Sequence, residues 1–430
     1  MCQSNPKRYV LGAACIKAML LICIGLSAHA QEAFELADAY FEPHATIQTG
    51  IDAWQISTQS KIQTTPGEVA APLAPVDDLY FANSYTQWNY QPISPWVKIM
   101  GSWNLTNNFS LEYKIRSEAS VGDKVDDLHV NWRLSPQLGF KAGVVDYKTS
   151  WCRTYDTASP WVRENNPFCT TQTTNIATAA APGVQAYWVA RSDQYEFQSI
   201  VGVYRPMAFG YNATEFSNYP TINGVASNDR WGWSLSAVNL ENATEFRLSW
   251  LGADQYSNIN DDSTQDHNRS QLLFAGVGFY PTAQINIKLY ALRNTVIRQS
   301  LELDSDGVYL DDTTTRVRSS ATLEINDQLD GRNSLNWAIS KYSDQSTQNS
   351  PSSYDYAYIY NEQPLINQWA QENMSLAWRH EWGSGIFTSV QWTRSIYSEV
   401  MYTFDSNYVW YPTYGSAQGT AIGFRLGFTY

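Results

Sequence analysis

Residues 109–116 read Phe-Ser-Leu-Glu-Tyr-Lys-Ile-Arg, an alternation of apolar and polar side chains over one short segment. Successive side chains of a β-strand point to opposite faces, so a strand with this sequence has one apolar and one polar face. The polar face carries Glu112, Lys114 and Arg116, which need water. The segment therefore predicts a strand that crosses a membrane, with lipid on one side and water on the other.

The same alternation recurs along the chain, most clearly in residues 128–134, 285–291 and 422–430. It predicts sixteen strands at residues 44–56, 93–105, 109–118, 127–134, 138–147, 183–191, 195–204, 230–239, 244–253, 271–279, 284–293, 315–326, 333–342, 372–382, 386–395 and 418–430. The apolar phase of the first strand slips between Ile51 and Trp54. Residues 79–90 also resemble a strand, so eighteen strands is the alternative count.

The connections between the predicted strands have two lengths. Seven are short and turn-like, such as Asn107-Asn108 and Gly383-Ser384-Gly385, and the eight segments between these hairpins are mostly longer and polar. Outer-membrane barrels combine short periplasmic turns with long extracellular loops. The sequence thus predicts an all-β fold, a transmembrane antiparallel β-barrel of about sixteen strands formed by residues 44–430.

The first thirty residues have the composition of an export signal. Lys7, Arg8 and Lys17 form a positive region, residues 18–26 an apolar region, and Ala28-His29-Ala30 a cleavage site of small residues. We expect residues 1–30 to be a cleaved signal peptide and residues 31–43 a short periplasmic lead-in. Cleavage removes three basic and no acidic residues, so the net charge changes from -13 to -16.

Composition and motifs exclude several functional classes. Only 16% of the residues are charged, but no apolar run approaches the length of a spanning helix, which excludes a helical membrane protein. The acidic balance argues against nucleic acid as a partner. The sequence has no Gly-x-Ser-x-Gly motif, no phosphate-binding glycine loop and no metal-spaced His and Cys cluster. We therefore predict no enzyme activity, no cofactor and no metal site.

Two cysteines, Cys152 and Cys169, remain after the signal peptide. A single pair in an exported chain predicts a disulfide, because the compartment outside the cytoplasm is oxidising. A bond that closes a loop of this size contributes about 3 kcal/mol in the chain-entropy model.

Together these features resemble the general porins of Gram-negative outer membranes: a leader, sixteen strands, eight outward loops and a final strand that ends in an aromatic residue. The resemblance implies passive diffusion of small solutes, a homotrimer, and contact with outer-membrane lipid and lipopolysaccharide. It also implies that the barrel-assembly machinery reads Phe424, Phe428 and Tyr430. Residues 148–182 stand where that family has a third loop that folds inward and narrows the lumen, so they are the candidate constriction loop.

Basic residues outnumber acidic ones on the predicted inward phases. Those on strands near the third loop form a candidate pore-lining group: Lys98, Lys114, Arg116, Arg133 and Arg191. Asp156 and Glu164 of the loop would face this group and create a transverse field that tunes ion preference. The alternative is that the basic residues pair with inward glutamates and only solvate the wall.

Tryptophans such as Trp96, Trp132 and Trp382 lie near predicted strand ends or on outward phases, where interfacial aromatic girdles occur. An aromatic track that guides sugars through the lumen is the alternative. The sequence as a whole predicts an outer-membrane porin for small hydrophilic solutes and ions. The alternatives are a substrate-selective anion channel, of phosphate type, and a barrel that acts as a surface receptor or adhesin.

Overall fold

The structure is a computed structural model, and it describes residues 42–65, 68–69, 93–118, 122–146, 151, 161–162, 180–204, 230–241, 243–258, 264–303, 309–348, 365–404 and 410–430. All the regular elements within these ranges are β-strands. The described residues include no helix long and apolar enough to span a membrane.

The described strands follow the predicted order. They are β1 (Glu42–Thr65), β2 (Glu68–Val69), β3 (Ile93–Asn104), β4 (Phe109–Glu118), β5 (Gly122–Arg133), β6 (Leu138–Asp146), β7 (Ala180–Arg191), β8 (Tyr195–Tyr204), β9 (Arg230–Asn239), β10 (Thr244–Asn258), β11 (Thr264–Phe279), β12 (Ile285–Leu303), β13 (Tyr309–Gln328), β14 (Asn333–Gln348), β15 (Leu365–Gly383), β16 (Ile386–Phe404) and β17 (Trp410–Thr429). β2 has only two residues and pairs with β1.

The other sixteen strands form a closed antiparallel ring within the described residues. From β3 to β17 each strand pairs with its neighbours in the chain, and β1 closes the ring by pairing with both β3 and β17. Gln48 of β1, for example, lies opposite Lys98 of β3 and Thr429 of β17. The prediction of a sixteen-strand transmembrane barrel is confirmed. Residues 79–90, the reason for the alternative count, lie outside the described residues.

The barrel is apolar outside and polar inside. On β15, Leu376 and Trp378 face outward and are exposed, whereas Asn373 and Ser375 face the lumen and are buried. The same division holds on β4, where Ile115 is exposed and Arg116 is buried. Lipid stabilises an apolar exterior of this kind, while a polar interior needs a hydrated lumen. The distribution of side chains therefore identifies a membrane-spanning barrel.

The described strands fall into two length classes. Strands β3–β9 have 9 to 12 residues, whereas β10–β17 have 15 to 20. The sequence predicted the turn-side part of the longer strands and missed the rest. β12, for instance, was predicted to end at residue 293 and continues to Leu303. At the other end of the chain, β1 begins at Glu42, two residues before its predicted start.

Short turns join the strands at one rim. In the turn between β13 and β14, Asp330 accepts hydrogen bonds from the backbone N–H groups of Arg332 and Asn333 over 2.7 and 2.8 Å. Between β15 and β16, Gly383, Ser384 and Gly385 all have positive φ, at 91°, 51° and 77°. Glycine accepts such a backbone without strain, which explains the Gly-Ser-Gly sequence of this turn.

Candidate functional site: the barrel lumen

A buried ion pair joins the first and last strands of the barrel. Arg425 of β17 donates to both carboxylate oxygens of Asp52 on β1, with Nε to Oδ1 and Nη2 to Oδ2 each 2.8 Å apart. Trp96 Nε1 donates to Asp52 Oδ1 over 3.0 Å, and the Arg425 guanidinium lies 5.4 Å from the Trp96 ring. We call Asp52 and Arg425 the seam pair.

The seam pair also binds the connection between β6 and β7. Arg425 Nη1 donates to the carbonyl of Trp161 over 3.3 Å, and Nη2 donates to the carbonyl of Val162 over 3.0 Å. The Trp161 indole donates to Glu324 of β13 over 3.4 Å, and Val162 packs with Trp54 of β1. These two residues of the segment 148–182 therefore lie inside the barrel.

A third residue of the same segment, Trp151, lies against another part of the wall, on β11 and β12. Its ring meets the rings of Phe274 and Tyr290 edge-on, at centroid distances of 5.5 and 5.9 Å. Lys288 Nζ lies 5.3 Å from the Trp151 ring. At Gly276 an added Cβ would lie 2.6 Å from Trp151, so only glycine leaves room for the indole here. We call these surroundings the Trp151 site.

The lumen face of β4–β7 carries a connected polar network. Lys141 Nζ and His129 Nε2 lie 3.3 and 3.2 Å from Glu112 Oε2, and Asp127 contacts the other ring nitrogen of His129. Asn131 donates to Glu112 Oε1 over 3.2 Å. Glu112 thus pairs with Lys141, which for this one residue fits the alternative that inward basic residues pair with inward glutamates.

A second pairing was not foreseen from the sequence. Asp344 of β14 faces the lumen, accepts from Arg316 Nη2 over 2.6 Å and also contacts Arg318 Nε at 3.2 Å. The predicted strand ended at residue 342, so Asp344 was not counted among the inward acids. Asp52 was missed as well, because the phase of β1 was ambiguous. Both acids reduce the excess of positive charge expected for the wall.

An open cavity of about 490 Å³ occupies the lumen beside strands β5–β10. Cationic, amide and hydroxyl groups line it, among them Arg133, Lys141, Arg247, Gln185, Tyr187 and Ser236. Lys141 and Arg247 have carboxylate partners in Glu112 and Glu245, the latter over 3.0 Å. Arg133 has no ion pair with any residue that the structure describes. The cavity can therefore receive a small anion that also accepts and donates hydrogen bonds.

The predicted basic group lies at two levels of the barrel. Lys98 of β3 and Arg116 of β4 lie directly opposite each other and are buried on the lumen face, and Lys114 is half-buried nearby. Arg133 and Arg191 lie at the turn-side ends of β5 and β7. Arg191 is 69% exposed, with its Nε 3.9 Å from Glu196. The structure does not bring the five together at one level.

Several predicted site residues lie outside the described residues: Asp156, Glu164, Cys152 and Cys169. Of the predicted assembly signal, Phe424 faces outward, and the backbone of Tyr430 exchanges two hydrogen bonds with Ile47 of β1. Within the described ranges, no group of three or more His, Cys, Asp or Glu residues is placed to hold a metal ion.

The tryptophans lie on both faces of the barrel, whereas the sequence predicts the outer face for them. Trp132 and Trp382 are exposed on the outer face, and Trp132 stacks on Phe109 at 5.5 Å as a girdle residue would. Trp96 instead faces the lumen and is 6% exposed, so its predicted place in the girdle is wrong. A signal for this was present, since Trp96 shares the phase of the inward Lys98 two residues later.

Comparison with known proteins gives structural likeness without sequence likeness. No protein-family model and no curated protein sequence matches this chain. OmpT, an outer membrane protein of Vibrio cholerae in its trimer form, is 7% identical with a TM-score of 0.48, over 91% of this chain and 100% of that chain. The outer membrane channel DcaP of Acinetobacter baumannii is 10% identical with a TM-score of 0.45, over 92% and 99% of the two chains. An anion-selective porin from Comamonas acidovorans is 12% identical with a TM-score of 0.45, over 90% and 100%.

Proposed function

We propose that the protein is an outer-membrane channel for passive diffusion of small hydrophilic solutes and ions. One observation carries the proposal: the closed barrel has an apolar outer face and a lumen lined by charged, amide and hydroxyl groups. Water and ions can occupy such a lumen, because the wall replaces part of their hydration.

We further propose that residues 148–182 narrow the lumen as a constriction loop. The support comes from Trp151 and Trp161, which contact the barrel wall on β11–β12 and on β13 from the inside. Together with the contacts of Val162 to Trp54 and Arg425, they fix the described residues of the segment against the inner wall. A bond between Cys152 and Cys169, which stays a prediction, would shorten the segment between them.

The test is the current through the purified full-length mature protein in a planar bilayer under a KCl gradient. We expect stepwise conductance, and the reversal potential gives the sign of selectivity. A correctly folded barrel with no conductance would contradict the channel and favour the receptor or adhesin alternative. Folding is checked in the same preparation by heat-dependent mobility in detergent gels.

A second candidate function, an anion-selective channel, is favoured by the cavity beside β5–β10. Its lining includes three cations, and Arg133 has no carboxylate partner among the described residues. We expect the reversal potential to report anion preference and Arg133→Gln to weaken it. Arg332→Gln, in an exposed turn, is the matched control. Equal selectivity of wild type and Arg133→Gln would contradict a role for this cavity.

The resemblance to general porins supports two further proposals, a homotrimer and delivery by the barrel-assembly machinery. Mass measurement of the detergent-extracted protein tests the first, with three copies per particle expected. The absence of enzyme activity stays a prediction, tested by incubating the folded protein with phospholipid and with peptide substrates.

A further inference from the structure

An aromatic ring lies beside a cation where the lumen wall borders the cavity of β5–β10. Tyr187 of β7 pairs in register with Gly139 of β6, and Gly139 pairs with Arg133 of β5. A Cβ at Gly139 would overlap the Tyr187 ring, so the ring lies across this glycine. The Tyr187 hydroxyl donates to Asn131 Oδ1 on β5 over 2.9 Å, which holds the ring in place. Tyr187 and Arg133 both line the cavity, so a solute there meets the ring and the guanidinium together.

Amide and hydroxyl groups continue the cavity wall on the next two strands. Gln198 of β8 lies opposite Ser236 of β9, and Ser234 lies two residues before Ser236 on the same face of β9. These three side chains line the cavity and make no side-chain hydrogen bond within the described part of the chain. Each of them can both donate to and accept from the hydroxyl groups of a solute.

The charge of the cavity suits a solute with a single negative charge. Lys141 Nζ lies 3.3 Å from Glu112 and Arg247 Nη2 lies 3.0 Å from Glu245, so two of the three cations have a carboxylate partner. Arg133 has none among the residues that the structure describes. A carboxylate matches one guanidinium through two parallel hydrogen bonds, whereas a phosphate monoester carries a charge of about -1.5 to -2 at pH 7. One uncompensated cation therefore favours a carboxylate.

We propose that the cavity binds a sugar acid, a pyranose ring that carries one carboxylate. A pyranose has a face of C–H groups and a rim of hydroxyl groups. The face packs on the Tyr187 ring, the carboxylate contacts Arg133, and the rim meets the amide and hydroxyl groups of β8 and β9. The cavity of about 490 Å³ lies within the size range of pockets that hold small ligands. The inference deepens the proposed channel function and rests on it, because the sugar acid reaches the cavity through the lumen.

The experiment is saturation-transfer difference NMR of the full-length mature protein in detergent micelles, titrated with glucuronate. We expect Arg133→Gln to weaken glucuronate binding about 10-fold, because it removes a charge-assisted pair of hydrogen bonds. Glucose, which lacks the carboxylate, should bind the wild type about as weakly as glucuronate binds Arg133→Gln. Arg133→Lys keeps the charge and should recover part of the affinity. Arg332→Gln, in an exposed turn, is the matched control and should bind glucuronate like wild type.

A second pair of variants tests the aromatic ring. Tyr187→Leu removes the flat surface and should weaken glucuronate binding about 5-fold, given the usual strength of an aromatic contact. Tyr187→Phe keeps the ring and should retain most of the affinity that Tyr187→Leu loses. Gluconate has the carboxylate and the hydroxyl groups in an open chain without a pyranose face. It should bind the wild type about as weakly as glucuronate binds Tyr187→Leu.

Three results would overturn the proposal: no glucuronate binding by wild type, equal binding by wild type and Arg133→Gln, or equal binding of glucuronate and glucose. Equal binding by wild type and Tyr187→Leu would contradict the contact with the ring. Tighter binding of glucose 6-phosphate than of glucuronate would contradict the assignment to a carboxylate. Each variant must keep the heat-dependent mobility of wild type, so that a misfolded chain is not mistaken for a lost site. The NMR measurement needs no current, so a wild-type barrel that binds glucuronate without conducting would contradict the channel alone.

Discussion

At the scale of single residues, the seam pair links the first and last strands of the barrel. The side chains of Asp52 and Arg425 are only 8% and 7% exposed. Removing one member leaves a buried charge without its partner, so Asp52→Asn or Arg425→Gln should each lower the free energy of unfolding by about 3 kcal/mol. The double variant should lose little more than either single one, because the pair acts as a unit. Urea unfolding in lipid vesicles measures all three.

Arg332→Gln removes the same charge as Arg425→Gln but in an exposed turn, so it is the control and should unfold like wild type. Losses that simply add in the double variant would show that Asp52 and Arg425 are not coupled.

The sequence showed only part of this residue-level detail. Alternation assigns the two faces of a strand from hydropathy, and a lumen-facing tryptophan has the same hydropathy as a lipid-facing one. For that reason the phase of β1 was ambiguous where Ile51, which is 47% exposed, is followed by the buried Trp54. Asp52 lies between them, so its inward direction could not be derived. The last strand alternates without interruption, so the pattern alone indicates an inward direction for its partner Arg425, which is buried.

At the scale of elements, the Trp151 site predicts how the connection from β6 to β7 controls the pore. Trp151→Ala removes the ring that packs on Phe274 and Tyr290, and Gly276→Ala places a methyl group where the ring lies. Both changes should release the segment from this part of the wall and raise the single-channel conductance. Planar-bilayer recordings at one salt concentration measure the effect.

The matched control for Gly276→Ala is Gly331→Ala, because a Cβ at Gly331 meets no atom within 4 Å. Its conductance should equal that of wild type. Unchanged conductance in both Trp151→Ala and Gly276→Ala would contradict a narrowing role for this segment.

The turn between β13 and β14 predicts a pH dependence. Hydrogen bonds from the Asn333 side chain and from the backbone of Arg332 and Asn333 lower the pKa of Asp330. A lowered pKa means that the charged form stabilises the turn above the usual Asp range, and that this stability is lost as the pH falls through the lowered pKa. Asp330→Asn should therefore slightly lower the urea concentration at the midpoint of unfolding at pH 7. At a pH below the lowered pKa of Asp330, the variant and the wild type should have the same midpoint. Asp193→Asn, in the turn between β7 and β8, is the control, and a difference from wild type that persists at the lowest pH would contradict the assignment.

The strands themselves were predictable, but their far ends were not. Alternation is visible only where one face meets lipid, and beyond Lys341 the outward residues of β14 are polar, such as Ser343, whose hydroxyl lies 2.8 Å from that of Ser319 on β13. The signal therefore stops near residue 342, although β14 continues to Gln348. The inward Asp344 lies beyond the edge where the pattern fades, which is why the sequence did not assign it.

At the scale of the whole molecule, the barrel has a direction. Short turns join the strands at one rim, and the apolar belt begins next to them; at the other rim β10–β17 extend well past the belt. In outer-membrane barrels the rim with short turns faces the periplasm. The protein is therefore expected to expose residues 349–364, between β14 and β15, on the cell surface, and Ser192-Asp193-Gln194, between β7 and β8, in the periplasm.

An epitope inserted at each of these places tests the orientation. Antibody should label intact cells that carry the epitope in residues 349–364, and it should label the epitope at 192–194 only after the outer membrane is permeabilised. Both variants must show the heat-dependent mobility of the wild type, because a misfolded chain would remain unlabelled for another reason. Labelling of intact cells at 192–194 would contradict this orientation.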